Sequence, residues 1–187
     1  MAYKDEILTI TSDKIYYTVD GFIESQVMMD WEHSIMEASA NYVCENGRDI
    51  LEIGFGMGIA ADYIQANSIT SHTIVEIHPQ IIEKAKAWAV GKPNVTIVEG
   101  DWYTVKDYLS TYDGVFYDTW GEEDWSRFGS HIASLVKPEA KVTWWNNNDS
   151  ATTIHNISGV EYEVINVNPP ANCYFNSNKY YLPKKQF

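Results

Sequence analysis

Gly54-Phe55-Gly56-Met57-Gly58, at the end of a short apolar run, carries the first chemical signal in this 187-residue chain. Glycines lack a Cβ and let the backbone come close to a ligand, and a helix starting there presents its N-terminal amides. Glu76 closes the next apolar run, where a carboxylate can accept both hydroxyls of a ribose. Asp101-Trp102 follows the run after that, with a carboxylate for the amino group of a base and an indole for its face. A glycine-rich turn alone can be a tight strand–helix connection. Three such signals at the carboxyl ends of three successive strands mark the ligand crevice of an open α/β sheet and point to a nucleoside-type cofactor.

The elements that must position these residues alternate. DILEIG, HTIVEI, NVTIVEG, DGVFYD and AKVTWWNN read as strands. GIAADYIQAN, PQIIEKAKAWAV, VKDYLSTY and SRFGSHIASLV read as the helices between them, and a further helix over 31–44 precedes them, stopped by ENG at 45–47. Units of this length imply a parallel sheet with helices on both faces. After residue 150 the rhythm changes. VEYEVINV and NKYYLP, joined by the turn-rich NPPANCYFNS, read as an antiparallel hairpin at the sheet edge. The expected organisation is a polar, aromatic-containing leader over 1–26 and one domain over 27–187.

Composition sets limits on partners. Thirteen Lys+Arg against 26 Asp+Glu leave a formal charge of -13, which repels nucleic acid and anionic membrane and tolerates a cationic small molecule. The same acidity would serve solubility alone. Cys44 and Cys173 lie far apart, outside any CxxC, and His33, His72, His78, His131 and His155 have no ligand spacing, so no metal site and no disulfide framework are expected. MAYKDEILTI is charged where a signal peptide needs an apolar run. A cytoplasmic protein, monomer or homodimer, is the expectation.

Gly54, Gly56 and Gly58 follow GxGxG, not the GxGxxG of dinucleotide sites, and no Walker lysine is present. With the terminal hairpin, this resembles class I S-adenosylmethionine-dependent methyltransferases, whose Rossmann-like sheet has seven strands. LVKP at 135–138 is similar to that family's LLKPGG turn, with Glu139 and Ala140 in place of its glycines. VMMDWEHSIMEASA at 27–40, ILEIGFGMGIAADYIQ at 50–65, HTIVEIHP, GDW, DGVFYDTW and VNPPANCYF at 167–175 resemble guanidinoacetate methyltransferase and its relative, arginine delta-N-methyltransferase. The resemblance implies cofactor contacts from Met28, Trp31, Glu52, Gly54, Phe55, Gly56, Met57, Gly58, Glu76, Ile77, Gly100, Asp101, Trp102 and Asp118. It also implies that Glu32 and Asp118 grip a guanidino group, and that the leader folds over the substrate as a lid, with Tyr16, Tyr17 and Phe22 as closing groups.

The chemistry agrees with that assignment. A guanidinium is a planar, cationic fork of N–H donors, so carboxylates are its natural partners. The cation has no free lone pair with which to attack a methyl group, so a transferase must remove a proton as the methyl moves. Asp118, ending the fourth strand, is the candidate general base, and Glu32 would hold the other nitrogens. Taken singly, Asp118 could cap a turn and Glu32 could be a solvated helix carboxylate. Most of the tryptophans suit core packing; Trp120, in YDTW, is a candidate substrate contact. Asn146, Asn147 and Asn148, after the fifth strand, could offer amides to a substrate carboxylate or equally belong to a polar loop. No Lys or Arg stands out as that carboxylate's partner. Guanidinoacetate comes slightly ahead of free arginine, while an amine acceptor or a non-catalytic cofactor-binding protein remains an alternative.

Overall fold

The computed structural model describes residues 2–45, 48–122 and 124–187. A 3-10 turn at Tyr3–Asp5 precedes three antiparallel strands, β1 (Thr9–Ile10), β2 (Lys14–Val19) and β3 (Ile23–Met29). The sequence reading assigned no strand there, and its 26/27 boundary falls inside β3. The physical reason is faint patterning: within β2 and β3 only Ile15, Met28 and Met29 are fully enclosed.

A 3-10 turn at Asp30–Glu32 leads into α1 (His33–Cys44). Asn46 and Gly47 of the expected ENG stop lie outside the described residues. The alternation then follows as β4 (Asp49–Ile53), α2 (Ile59–Gln65), β5 (Ser71–Glu76), α3 (Pro79–Ala89), β6 (Val95–Glu99), α4 (Trp102–Val105), β7 (Tyr112–Tyr117), α5 (Ser126–His131), β8 (Val136–Trp144), β9 (Glu161–Asn166) and β10 (Lys179–Gln186). These strands form one seven-stranded sheet in the order β6-β5-β4-β7-β8-β10-β9. The first five are parallel, and β10 runs antiparallel to β8 and β9. This is the sheet expected from the sequence.

Helices cover both faces because successive strand residues point opposite ways. Ile50, Phe116, Tyr180 and Leu182 pack with α1 and α2, and Ile74 packs with Ile81 and Ala85 of α3. On the other face Leu51, Ile53, Val115 and Val142 pack with Trp102, Phe128 and Ile132. Gly114 lets α1 approach the sheet, since a Cβ there would lie 2.2 Å from the Val43 carbonyl oxygen.

Two elements are displaced from expectation. The helix placed at VKDYLSTY begins earlier, as α4, because the Asp101 side chain caps it; only a 3-10 turn at Lys106–Tyr108 follows. The strand placed at AKVTWWNN begins at Val136 and runs through LVKP, with a register shift opposite Tyr112/Gly114. Glu139 there takes a φ of 67°, a conformation that glycine adopts without strain.

Candidate functional site

Strand order reverses between β4 and β7, which opens a crevice beyond their carboxyl ends. A cavity of about 1070 Å³ fills it. The loops around it begin from last rungs of the ladder. The N–H groups of Gly54, Gly100 and Asp118 donate to the carbonyls of Val75, Glu76 and Ile53, each at 2.8 Å.

The glycine turn is held by close contacts. Gly54 has φ 92°, and a Cβ there would lie 1.8 Å from the carbonyl oxygen of Asp118. Gly58 starts α2 in the left-handed region. A Cβ on Gly56 would meet Met28 Sδ at 2.5 Å, so Met28 lies over the turn; the Met57 N–H faces the same sulfur at 3.1 Å. Beneath the turn Glu52 is fully buried, 2.8 Å from His72 Nε2. Burial holds its carboxyl above the ordinary range, and His72 opposes that shift.

Glu76 lines the cavity with its carboxylate fixed by three backbone donors. Oε1 accepts the N–H groups of Ile77 and His78, both at 2.8 Å, and Oε2 accepts that of Phe55 at 2.9 Å. Asp101 accepts the Tyr103 N–H through Oδ1 at 2.9 Å, and Oδ2 has no partner among the described residues. Trp102 is 3% exposed, edge-on to Tyr117 and Phe128, with its indole N–H donated to Glu122. It is a core residue with an edge on the cavity, not the open platform its position suggested. Phe55, Ile77 and Gly100 also line the cavity, whereas Trp31, Met57 and Gly58 stand behind its wall.

At the other end Glu32 and Asp118 share the cavity wall. Glu32 is 2% exposed; its Oε1 accepts the Met29 N–H at 2.7 Å and the Tyr174 hydroxyl. Burial, reinforced by the charge of Asp118, pushes its carboxyl up to about 8. Asp118 is half-buried at the end of β7 and makes no side-chain hydrogen bond among the described residues. Burial, then the charges of Glu52 and Glu76, push it up to about 7. Trp120 and Trp145 line the same region, their ring centroids 6.4 and 6.0 Å from that of Tyr174. Trp31 stacks on Phe175.

Asn146, expected as a substrate contact, is not among the residues that line the cavity. It is 2% exposed, donates to the carbonyls of Ser150 and Tyr181, and accepts the Asn148 N–H. Both of its amide N–H donors go to backbone carbonyls, and Asn147, from the same run, lines the cavity. Tyr17 lines the cavity as well, but Tyr16 does not, and Phe22 is 93% exposed in the β2–β3 turn. Ala2, Tyr3 and Lys4 reach the cavity too. Gln80 clamps their segment through both backbone groups of Leu8, at 2.7 and 3.0 Å.

The sequence reading missed Tyr3, Lys4, Arg127, Trp145 and Tyr174 as wall residues. The one available signal was NCYF, noted only as part of a resemblance. Among the described residues no cluster of three or more His, Cys, Asp or Glu could hold a metal ion, and no helix is long and apolar enough to cross a membrane.

The sequence profile described as guanidinoacetate N-methyltransferase matches residues 16–148. A Kluyveromyces lactis relative named protein arginine N-methyltransferase 2 is 33% identical over 216 residues, covering 96% of this chain and 53% of its own length. The protein of that name from Saccharomyces cerevisiae is 36% identical over 160 residues, covering 78% of this chain and 36% of its own. This chain therefore spans about half or less of the curated relatives it matches. Among solved structures, N-methyltransferase NodS from Bradyrhizobium japonicum, in complex with S-adenosyl-L-homocysteine, superposes with a TM-score of 0.67 at 12% identity, over 84% of this chain and 87% of that one. Spermidine synthase from Thermotoga maritima gives 0.63 at 11%, over 92% and 64%. At such identities the likeness is one of fold.

Proposed function

The chain belongs to the guanidinoacetate N-methyltransferase family, and from that premise we propose that it transfers a methyl group from S-adenosylmethionine to a nitrogen of a guanidino compound. One observation carries the reading. Asp118, a carboxyl with no side-chain hydrogen bond among the described residues, shares with the buried Glu32 the cavity that begins at the glycine turn.

The residues fit the cofactor. The turn from Gly54 to Gly58 leaves backbone where side chains would intrude, and Met28, Phe55, Ile77 and Gly100 complete that wall. Glu76 is oriented by its three amides, which leave an acceptor position on Oε2 for a ribose hydroxyl, and Asp101 Oδ2, without a partner among the described residues, can meet an adenine amino group. When bound, the sulfonium supplies an electrophilic methyl group and leaves as a neutral thioether. The N-terminal segment around Tyr3 would close the crevice over the ligand.

Asp118 and Glu32 bind the guanidinium and orient one nitrogen towards the methyl group. As the N–C bond forms, a proton of that nitrogen passes to Asp118, while the electron pair of the broken S–C bond stays on sulfur. The guanidinium of arginine, free or within a polypeptide, stands ahead as acceptor because the relatives described above are named for it. Guanidinoacetate, slightly favoured by sequence alone, follows on the strength of the family profile.

The test is methyl transfer from labelled S-adenosylmethionine to free arginine, an arginine peptide, guanidinoacetate, agmatine, guanidinopropionate and glycine, with product masses read out. Turnover on a guanidino compound is expected. Turnover on glycine alone would make the acceptor an amine, and silence across the panel with cofactor bound would overturn the reading.

A further inference from the structure

We propose that Tyr174 is the positioning residue of Glu32: its hydroxyl, with the Met29 amide, fills one carboxylate oxygen so that Glu32 meets the acceptor through the other alone. The inference rests on the function proposed above. A carboxylate oxygen accepts about two hydrogen bonds. Glu32 Oε1 already takes two, from Met29 at the end of β3 and from Tyr174 in the β9–β10 connection. Oε2 has no hydrogen-bond partner among the described residues.

Tyr174 is itself held. Its N–H donates to Gln26 Oε1 at 3.1 Å, and Gln26 Nε2 donates to the Asn172 carbonyl at 3.3 Å, so β3 carries the segment. Trp31, Trp120 and Trp145 surround the ring. Among the described residues, the titratable groups facing Glu32 are Asp118, Cys173, Tyr174 and Tyr180, none of them a cation. The Tyr174 hydroxyl and the Met29 amide are therefore what favours the charged form of Glu32. Among the described residues, Asp118 brings two unpartnered oxygens and Glu32 one. The pair thus grips a guanidinium asymmetrically, with the fork on Asp118.

The test is Tyr174→Phe in the full chain, which removes the hydroxyl and keeps the ring. With glutamate side-chain carboxyls labelled with 13C and no acceptor present, the Glu32 titration should move to higher pH. The acceptor KM should rise roughly tenfold, as for one hydrogen bond to a charged group, with kcat and cofactor Kd within about twofold. Gln26→Ala, which loosens the segment without touching the hydroxyl, should move both readouts the same way by less. An unmoved titration in Tyr174→Phe would overturn the hydrogen-bond assignment. A moved titration with an unchanged KM would overturn the positioning role. The titration arm reads without turnover, so failure of the methyl-transfer reading stays distinguishable.

Discussion

Glu76 and Asp118 stand in one cavity and are built by opposite means. Glu76 is wired to three backbone amides, two of them from the residues that follow it. Asp118 has no side-chain partner among the described residues and faces the charges of Glu52 and Glu76. The difference matches what each end is proposed to hold. A carboxylate that accepts from a sugar hydroxyl can be fixed in advance by neutral donors and still keep a lone pair to spare. Carboxylates that receive a cation gain most when nothing in the protein has already neutralised them. Burial and neighbouring charge push the carboxyls of Asp118 and Glu32 up to about 7 and about 8, and the proposed guanidinium would draw both down.

Asp118→Asn should break the comparison most sharply. Turnover should fall by roughly a thousandfold with loss of the base, while the cofactor Kd, read by calorimetry, stays within about twofold. A matching loss of cofactor affinity would merge the two ends into one. Glu76→Ala should do the reverse, weakening cofactor binding by roughly ten- to a hundredfold with turnover recovered at saturating cofactor. Unchanged affinity would remove Glu76 from the ribose site.

Asn146→Ala sharpens the edge of the acceptor end. It should lower stability by about 1–3 kcal/mol in denaturant titrations and leave the acceptor KM alone, and a raised KM would return Asn146 to the site. The smallest effect is one of pH. Raised carboxyls mean that the folded chain binds more protons than the unfolded one between roughly pH 4 and 8, so stability falls as pH rises through that window. Glu32→Gln should therefore raise the thermal midpoint at pH 8, by roughly 2–4 °C per kcal/mol relieved, and change it little at pH 4. Equal shifts at both pH values would contradict the raised carboxyl at Glu32.

The same contrast explains what could be read from sequence. The cofactor end is local: the glycine turn, Glu76 and Asp101 each close one strand, so the alternation of elements placed them. The acceptor end is assembled from β3, β7, β8 and the β9–β10 connection. Glu32 and Asp118 were found there through a family resemblance, and Trp145 and Tyr174 went unassigned, since β10 inserts between β8 and β9 and no spacing rule carries residue 174 to residue 32. For Asn146 the sequence left both readings open, because an asparagine after a strand looks alike whether it serves a ligand or its own backbone surroundings. The β1–β3 sheet escaped because half-buried strands alternate weakly.

The contact between Gly54 and the Asp118 carbonyl constrains how this site can diversify. Because backbone meets backbone there, no rotamer change can absorb a displacement, and any shift of the β7 terminus would be passed to the glycine turn. The side chains of Trp120 and Trp145 meet the ring of Tyr174 and can be exchanged more independently. A library seeking acceptors of new size should therefore vary those two positions and leave untouched Tyr174, which holds Glu32, and the floor on which Asp118 stands.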